Sequence, residues 1–463
     1  MPESLAVAVD FGSTFTKVRA VAVPSGRLVA SAQSPTTVRD GLLAGLDGAL
    51  AQARVARSAV DAWYACSSAA GGLRIVAIGL VRNLTAEAAR RASLGAGGRV
   101  VGAYAGRLTR SDLAQIVDLA PDLVVLAGGT DGGDRLTICR NAALVAQLGL
   151  SCPVIIAGNR AAADEVADTL AAAAVDYRVV DNVMPRVDVL EPAACSAAIR
   201  RVFIERIVLA KGFEEAQEFI GRGLVPTPNA VLEAFALVAQ GTQRVPGLVE
   251  LVGIDVGGAT TDVYSVAEGR PTAPRVAQRG LAEPYLKRTV EGDLGVRVSA
   301  PAVVQAGRAE LPEGNDVVPS SYAHRVAREV GVLPGCDDEL GWDVRLAAAA
   351  ALIATRRHAG RLELGYGIEG SYYLQYGKDL TAVPAVIGTG GVLSGRARDP
   401  ADCARVLGPV VYHHDAPDLL LPRAPRRYVD REYVLYAAGL LAADHPDAAA
   451  TLAHASLTEI AVA

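Results

Sequence analysis

The sequence predicts an α/β protein in which one supersecondary unit occurs twice. Three observations carry this reading. Short apolar runs alternate with alanine-rich helical stretches along the chain. An apolar run ending in aspartate, then a small glycine-containing loop, then a second strand, appears at Asp10 and again at Asp255. A third apolar run leads into the glycine-rich string GTGGVLS at residues 388–394.

The elements follow in order. Residues 7–10 read as a buried strand, and after Gly12-Ser13-Thr14 the string TKVRAVAV alternates as a half-exposed strand. Residues 24–26 (PSG) are a turn, and RLVASAQ is the next strand. The first loop therefore joins two antiparallel strands, and no helix follows it, unlike a P-loop or a dinucleotide turn. Residues 41–60 and 85–94 read as helices, and WYACSSAAGGLRIVAIGLV reads as strand–turn–strand around Gly71-Gly72. Residues 122–127 and 153–157 are strands with a helix over 141–148 between them, which implies parallel β–α units. Residues 190–240 are mostly helical, broken at 221–228. In the second copy, Asp255 aligns with Asp10, Gly257 with Gly12 and Val263 with Val18, without a gap. Residues 343–359 form a helix, 384–387 a strand, and 430–443 a helix with Gly439 in its middle. Two similar domains are expected, 1–245 with an insertion and 246–463.

Composition narrows the function. The 463 residues exceed what one hydrophobic core organises, so about two to four domains are expected. Aromatic residues are only 5% of the chain, so the core is built from small aliphatic side chains. The net charge is −5, and the one arginine cluster (Arg423, Arg426, Arg427) does not make the basic face of a nucleic-acid binder. No signal peptide is read, and every apolar stretch is interrupted before about 18 residues, so no membrane association is expected. The six cysteines are widely spaced and no CxxC occurs. That spacing argues against zinc or an iron–sulfur cluster held by one chain, and suits buried thiols in the cytoplasm.

A hairpin loop of Gly, Ser and Thr offers converging N–H groups and hydroxyls, a nest for phosphate oxygens. The aspartate at the strand end can hold Mg²⁺ through water, and Lys17 can reach the β- and γ-phosphates. Two such hairpins would clamp a triphosphate and act by positioning and electrostatics. Each loop alone also fits an ordinary β-turn, and the glycine turn at 388–394 fits an adenosine site or a tight turn equally.

The order Asp10-Phe11-Gly12-Ser13-Thr14 with Lys17, then Asp255-Val256-Gly257-Gly258-Ala259-Thr260-Thr261-Asp262, then Gly388-Thr389-Gly390-Gly391, resembles the phosphate-1, phosphate-2 and adenosine motifs of the actin/Hsp70/sugar-kinase superfamily. The Asp-to-Lys spacing of seven is similar to actin's, and YVLYAAGLLA resembles that superfamily's second connecting helix. Within it, VDFGSTFTKV, CSSAAGGLR, LAGGTDGG, GIDVGGATTDVYS, KRTVEGDLGVR and VIGTGGVLS, spanning residues 7 to 394, resemble the MutL/GlmL family. That is the accessory protein encoded beside adenosylcobalamin-dependent glutamate mutase and related aminomutases.

The resemblance implies duplicated actin-like (ribonuclease H-like) ATPase domains facing a nucleotide cleft. It implies Asp10, Asp255 and Lys17 as catalytic residues, with Mg²⁺ on Asp10 and Asp255 through water. It implies ATP or ADP contacts from Gly12, Ser13, Thr14, Gly257, Gly258, Thr260, Thr261, Asp262, Gly388, Thr389, Gly390 and Gly391. The implied role is a chaperone or reactivating factor that exchanges inactivated cobalamin on a mutase subunit, and a homodimer is admitted. Three rivals are a small-molecule kinase of the same fold, a nucleotide-dependent scaffold or filament, and an iron–sulfur activator. A kinase would use Asp255 as base but lacks a recognisable sugar-binding cluster.

Three further features stay open at this level. LAGGTDGG, with Asp131 and Asp134, reads as a partner-facing loop or a structural turn. Glu291 and Asp293 read as groups ordering a catalytic water or as a solvated acidic turn. His413-His414 reads as a surface loop.

Overall fold

The computed structural model describes residues 3–12, 15–37, 42–68, 73–205, 223–311, 318–367, 370–394 and 399–461. The chain separates into two compact units, one of residues 1–67, 218–279 and 283–463, the other of 68–217 with 280–282.

The first unit begins with an antiparallel meander of β1 (Ser4–Phe11), β2 (Phe15–Val23) and β3 (Arg27–Pro35). The apolar run of β1 is buried, which is why its pattern is continuous rather than alternating. β4 (Ala62–Ser67) lies parallel to β1 on its other side and brings Cys66 beside Asp10.

The chain then enters the second unit. Its strands β5 (Arg74–Gly79), β6 (Arg99–Ala105), β7 (Leu123–Leu126), β8 (Val154–Ile156) and β9 (Tyr177–Val179) form an all-parallel sheet in the order β6-β5-β7-β8-β9. This is a doubly wound order that reverses between β5 and β7. Val76, Ile78, Val124, Leu126, Val154 and Ile156 give the unit its own core. The strands expected on either side of Gly71-Gly72 are present as β4 and β5, but they belong to different units and do not pair, and residues 69–72 lie outside the described residues. The helix expected over 141–148 is Leu136–Ala146, because Asp134 accepts the Thr137 N–H and starts it earlier.

On its return the chain forms β10 (Val225–Pro226), parallel to β4, and the helix Thr227–Gln240. The second copy follows as β11 (Leu251–Val256) and β12 (Thr261–Val266), then β13 (Val276–Arg279) and β14 (Leu286–Glu291). Later come β15 (Arg361–Gly367), β16 (Gly370–Tyr376), β17 (Ala385–Thr389), β18 (Arg426–Asp430) and β19 (Leu457–Ile460). The second large sheet runs β14-β12-β11-β17-β18-β19, and the first runs β3-β2-β1-β4-β10. In both, an antiparallel meander begins at a central strand, and two parallel strands extend the sheet on that strand's other side. The duplication read from the loops therefore extends to whole-sheet topology. A small third sheet has the order β13-β16-β15. The helix expected over 430–443 is shorter, Leu435–Leu441, because Asp430 still belongs to β18.

The two halves expected on either side of residue 245 are two sheets that share one core. Ala6, Ala8 and Val21 of the first sheet and Leu251 and Ile387 of the second pack with Val231, Phe235, Val238, Tyr436 and Leu441 of two helices. Those helices cross at Gly439, where an added Cβ would lie 1.7 Å from the Ala230 carbonyl oxygen. Only glycine lets them approach this closely. Gly439→Ala should destabilise the protein by about 1–3 kcal/mol or more. In urea denaturation the midpoint should fall with little change in slope.

Candidate nucleotide site

Both hairpins close with the same turn. The Gly12 N–H donates to the Phe15 carbonyl at 3.1 Å, and the Gly257 N–H donates to the Thr260 carbonyl at 2.9 Å. The registers also agree, with Asp10 opposite Lys17 and Asp255 opposite Asp262. Ser13 and Thr14 lie outside the described residues. The second loop is stapled from behind: Val296 and Arg297 donate their N–H groups to Gly257 and Gly258 at 3.1 and 2.8 Å, and the Ser299 hydroxyl donates to Ala259 at 2.7 Å. Arg297 is itself held by a two-pronged ion pair to buried Asp343, at 2.9 and 2.7 Å. Thr261 is buried with its hydroxyl on the Leu294 carbonyl at 2.6 Å, so that group already has a structural partner. Thr260 lies in the loop with its hydroxyl 3.4 Å from Asp262.

The first aspartate is fully paired. Buried Asp10 accepts from Lys17 Nζ at 3.0 Å and from the Thr227 hydroxyl at 2.8 Å. Burial alone would lower the Lys17 pKa, but the Asp10 carboxylate outweighs it and holds the ammonium above the usual lysine value. Lys17 also donates to the Tyr433 hydroxyl at 3.3 Å and lies 4.3 Å from the centre of that ring. Tyr433 takes a left-handed backbone, φ +51°, that a bulky residue rarely adopts.

Asp255 is in the opposite condition. It sits at the end of β11 with no hydrogen bond to its carboxylate among the described residues. Burial, and then the negative charges of Asp262, Asp10 and Asp430, push its pKa up to about 7, with only Lys17 acting the other way. Asp262 is neutralised by Arg288, with contacts of 2.7 and 2.5 Å. β17 runs parallel to β11, which sets Thr389 beside Asp255. Gly388 lies inside that strand, which is buried along its whole length, and Gly391 lies exposed in the following turn. Between them Gly390 has φ +104°, and a Cβ there would come within 2.3 Å of the Val256 carbonyl. The third motif is thus pressed directly against the second.

Three participants escape sequence reading. Asp430 opens the helix Leu435–Leu441 by accepting the Val434 and Leu435 N–H groups at 3.1 and 3.2 Å, and it also holds the Ser456 and Thr389 hydroxyls at 2.5 and 3.1 Å. The signal was weak, since only Tyr428 and Val429 precede the aspartate in RRYVD as apolar residues. Thr227 carried the weaker signal of a Thr-Pro helix start. Nothing in the sequence marks Tyr433.

The features left open resolve locally. Arg357 pairs with Glu291 at 2.6 Å, with Asp293 at 3.4 Å and with Glu310, so both acidic residues have a structural cation. In the second unit, Asn159 and Asn182 brace the GGTDGG loop through the N–H of Gly132 and the carbonyls of Gly129, Gly133 and Asp134. His413 bonds the Pro409 carbonyl at 2.6 Å. All six cysteines are free thiols, four of them buried and Cys336 exposed. Among the described residues no helix is long and apolar enough to cross a membrane, and no group of three or more His, Cys, Asp or Glu could hold a metal. Mg²⁺ needs less than that from a protein, one or two carboxylates with water and phosphate completing its shell.

The family model described as "MutL protein" matches residues 6–457. The chain belongs to the MutL family. "Protein MutL" of Clostridium tetanomorphum is 40% identical over 462 residues, covering 98% of this chain and 99% of the relative. Solved structures with a distant likeness include nucleotide-free acetone carboxylase, at 12% identity and TM-score 0.40 over 95% of this chain and 70% of that one. Component A of (R)-2-hydroxyglutaryl-CoA dehydratase from Acidaminococcus fermentans matches at 10% identity and TM-score 0.31, over 98% of each chain. A glycerol dehydratase reactivase matches at 13% identity and TM-score 0.34, over 95% of this chain and 99% of that one. This MutL-family chain has an α/β arrangement in which two sheets repeat one topology, as its repeated motif implied.

The raised Asp255 pKa sets a sign. The folded protein holds more protons than the unfolded chain between pH ~4 and ~7, so Asp255 lowers stability as pH rises through that window. Asp255→Asn should therefore be more stable than the parent at pH ~8, by about 1–3 kcal/mol, with the gain vanishing below pH ~4. Thermal melts across pH without nucleotide check this.

Proposed function

We propose that this MutL-family protein binds and hydrolyses ATP and acts as a chaperone that reactivates an adenosylcobalamin-dependent mutase of the glutamate mutase or aminomutase type. The observation that carries the reading is the paired hairpin: two loops, each closed by a glycine N–H on the carbonyl three residues on and each placed just after a strand aspartate, with a third glycine turn pressed against the second. The residues fit Mg²⁺–ATP in charge. Asp255 is held near neutrality by surplus negative charge, which a divalent cation would relieve. Asp10 and Asp255 would hold Mg²⁺ through water, and the metal would supply charge neutralisation at the β- and γ-phosphates.

The chain's own residues divide the remaining work. The backbone N–H groups of the two turns, with Gly12, Ser13, Thr14, Gly257, Gly258 and Thr260, cradle the phosphates. Gly388, Thr389, Gly390 and Gly391 receive the adenosine. Lys17 exchanges part of its contact with Asp10 and Tyr433 for a phosphate oxygen. Asp255, ionised once the cation is bound, would orient the attacking water through the metal's water shell. Closing the halves 1–245 and 246–463 on ATP and releasing them on ADP provides the two states that remodel the partner. The setting is the cytoplasm, and the partner is the mutase's cobalamin-bearing subunit.

The test is ATP turnover with and without purified mutase carrying inactivated cobalamin. Hydrolysis should be slow alone, faster with the mutase, and independent of any small acceptor. Asp10→Asn and Asp255→Asn should each lower turnover by about 100-fold or more while the far-ultraviolet spectrum is kept. ADP release that requires an acceptor would favour the kinase and overturn the reading. Parent-like turnover in either variant would refute this placement of the site.

A further inference from the structure

The small sheet β13-β16-β15 ends on an open strand. The outer edge of β15 is engaged only at its start, where the Leu362 N–H donates to the Asp418 carbonyl at 2.8 Å and Arg361 bridges Leu419. Among the described residues, no backbone hydrogen bond joins the edge to another segment beyond that point. Because the Leu362 N–H faces outward, the two-residue period turns the N–H and carbonyl groups of Leu364 and Tyr366 outward as well.

The side chains on this edge are not those of a protected strand. Leu362, Leu364 and Tyr366 share one face of β15, and cross-strand Tyr373 and then Val276 extend that face. Leu364 is 50% exposed, Tyr366 79% and Tyr373 45%. Arg361 and Glu363 lie on the opposite face and pair with each other at 3.3 Å. No proline, lysine or register shift interrupts β15, and these are the devices that normally blunt an exposed edge.

We propose that β15 is the edge along which two copies of this chain pair, antiparallel about a two-fold axis at Gly365. In that register Leu364 of one copy faces Tyr366 of the other, twice. The outward groups of the four residues then make four backbone hydrogen bonds. Glu363 falls opposite Gly367, so no like charges meet. The edge fits a second copy because reversal about Gly365 exchanges one apolar residue for another and leaves each outward donor facing an acceptor. The ladder is short, so the dimer belongs to the weaker class of interface, forming at micromolar concentration.

Sedimentation velocity on the full chain from about 1 to about 100 µM tests this. The mass should rise from one chain toward two, and amide exchange at Leu364 and Tyr366 should slow over the same range. Leu364→Pro deletes only an outward N–H, a position where an edge strand tolerates proline. Tyr366→Lys adds a charge to the same edge. Both variants should remain single chains with parent-like circular dichroism. A single-chain mass throughout the range would overturn the pairing, as would a dimer that persists in both variants. A complex with a different protein that both variants lose, while the parent alone stays a single chain, would assign the edge to that protein and equally overturn it.

Discussion

The contact between Gly439 and the Ala230 backbone fixes more of this molecule than any single ion pair. It sets the crossing of two helices, and each helix is tied to a different sheet at its start. Thr227, first residue of one helix, holds Asp10 at the end of β1. Asp430, last residue of β18, receives the first amides of the other and reaches Thr389 at the end of β17. The strand ends of the first and third motifs are thus tied to the same pair of crossing helices. The apolar side chains around the crossing come from both sheets, which is why the halves form one compact unit.

Within that shared frame the two copies are electrostatically unequal. Lys17 and Asp262 occupy the same position in their hairpins, so the duplication keeps the geometry and inverts a charge. The first copy thereby compensates its own aspartate. The second puts a carboxylate across from Asp255, and the cation Arg288 pairs with that carboxylate, Asp262. A buried pair is stable when complete and costly when one partner is missing. Asp10 has its partners and half-buried Asp255 has none among the described residues, and the surroundings of Asp255 push its carboxyl toward neutral titration. Sequence repetition explains the fold, and the departure from it explains which aspartate is chemically poised.

Much of this was legible before any coordinates. The hairpins could be read because a strand, a glycine turn and a second strand are local, and the duplication because two local patterns aligned without a gap. What depended on distant partners was not legible. Glu291 and Asp293 read as free acids until Arg357, in another element, is seen between them. Asp430 reads as helical from sequence, because an aspartate that ends a strand and receives the first amides of the next helix carries both signals at once. The string around Gly71-Gly72 has the composition of a hairpin turn, yet it joins two separately packed units. Composition marks where a chain turns, and only packing decides what it turns toward.

The way the second unit is threaded into the chain gives that boundary a mechanical meaning. The chain leaves the first unit after β4, where Cys66 lies beside Asp10 and the Ser67 hydroxyl donates to Phe11 at 3.1 Å. It returns through β10, whose Val225 and Pro226 pair with those same two residues, and the next residue, Thr227, grips Asp10. Both covalent arms of residues 68–217 are therefore anchored on the strand ends that hold one aspartate. An insertion at any loop remote from Asp10 would lack this anchoring, so the position after β4 ties the ends of the inserted segment to the strand ends that carry the first motif.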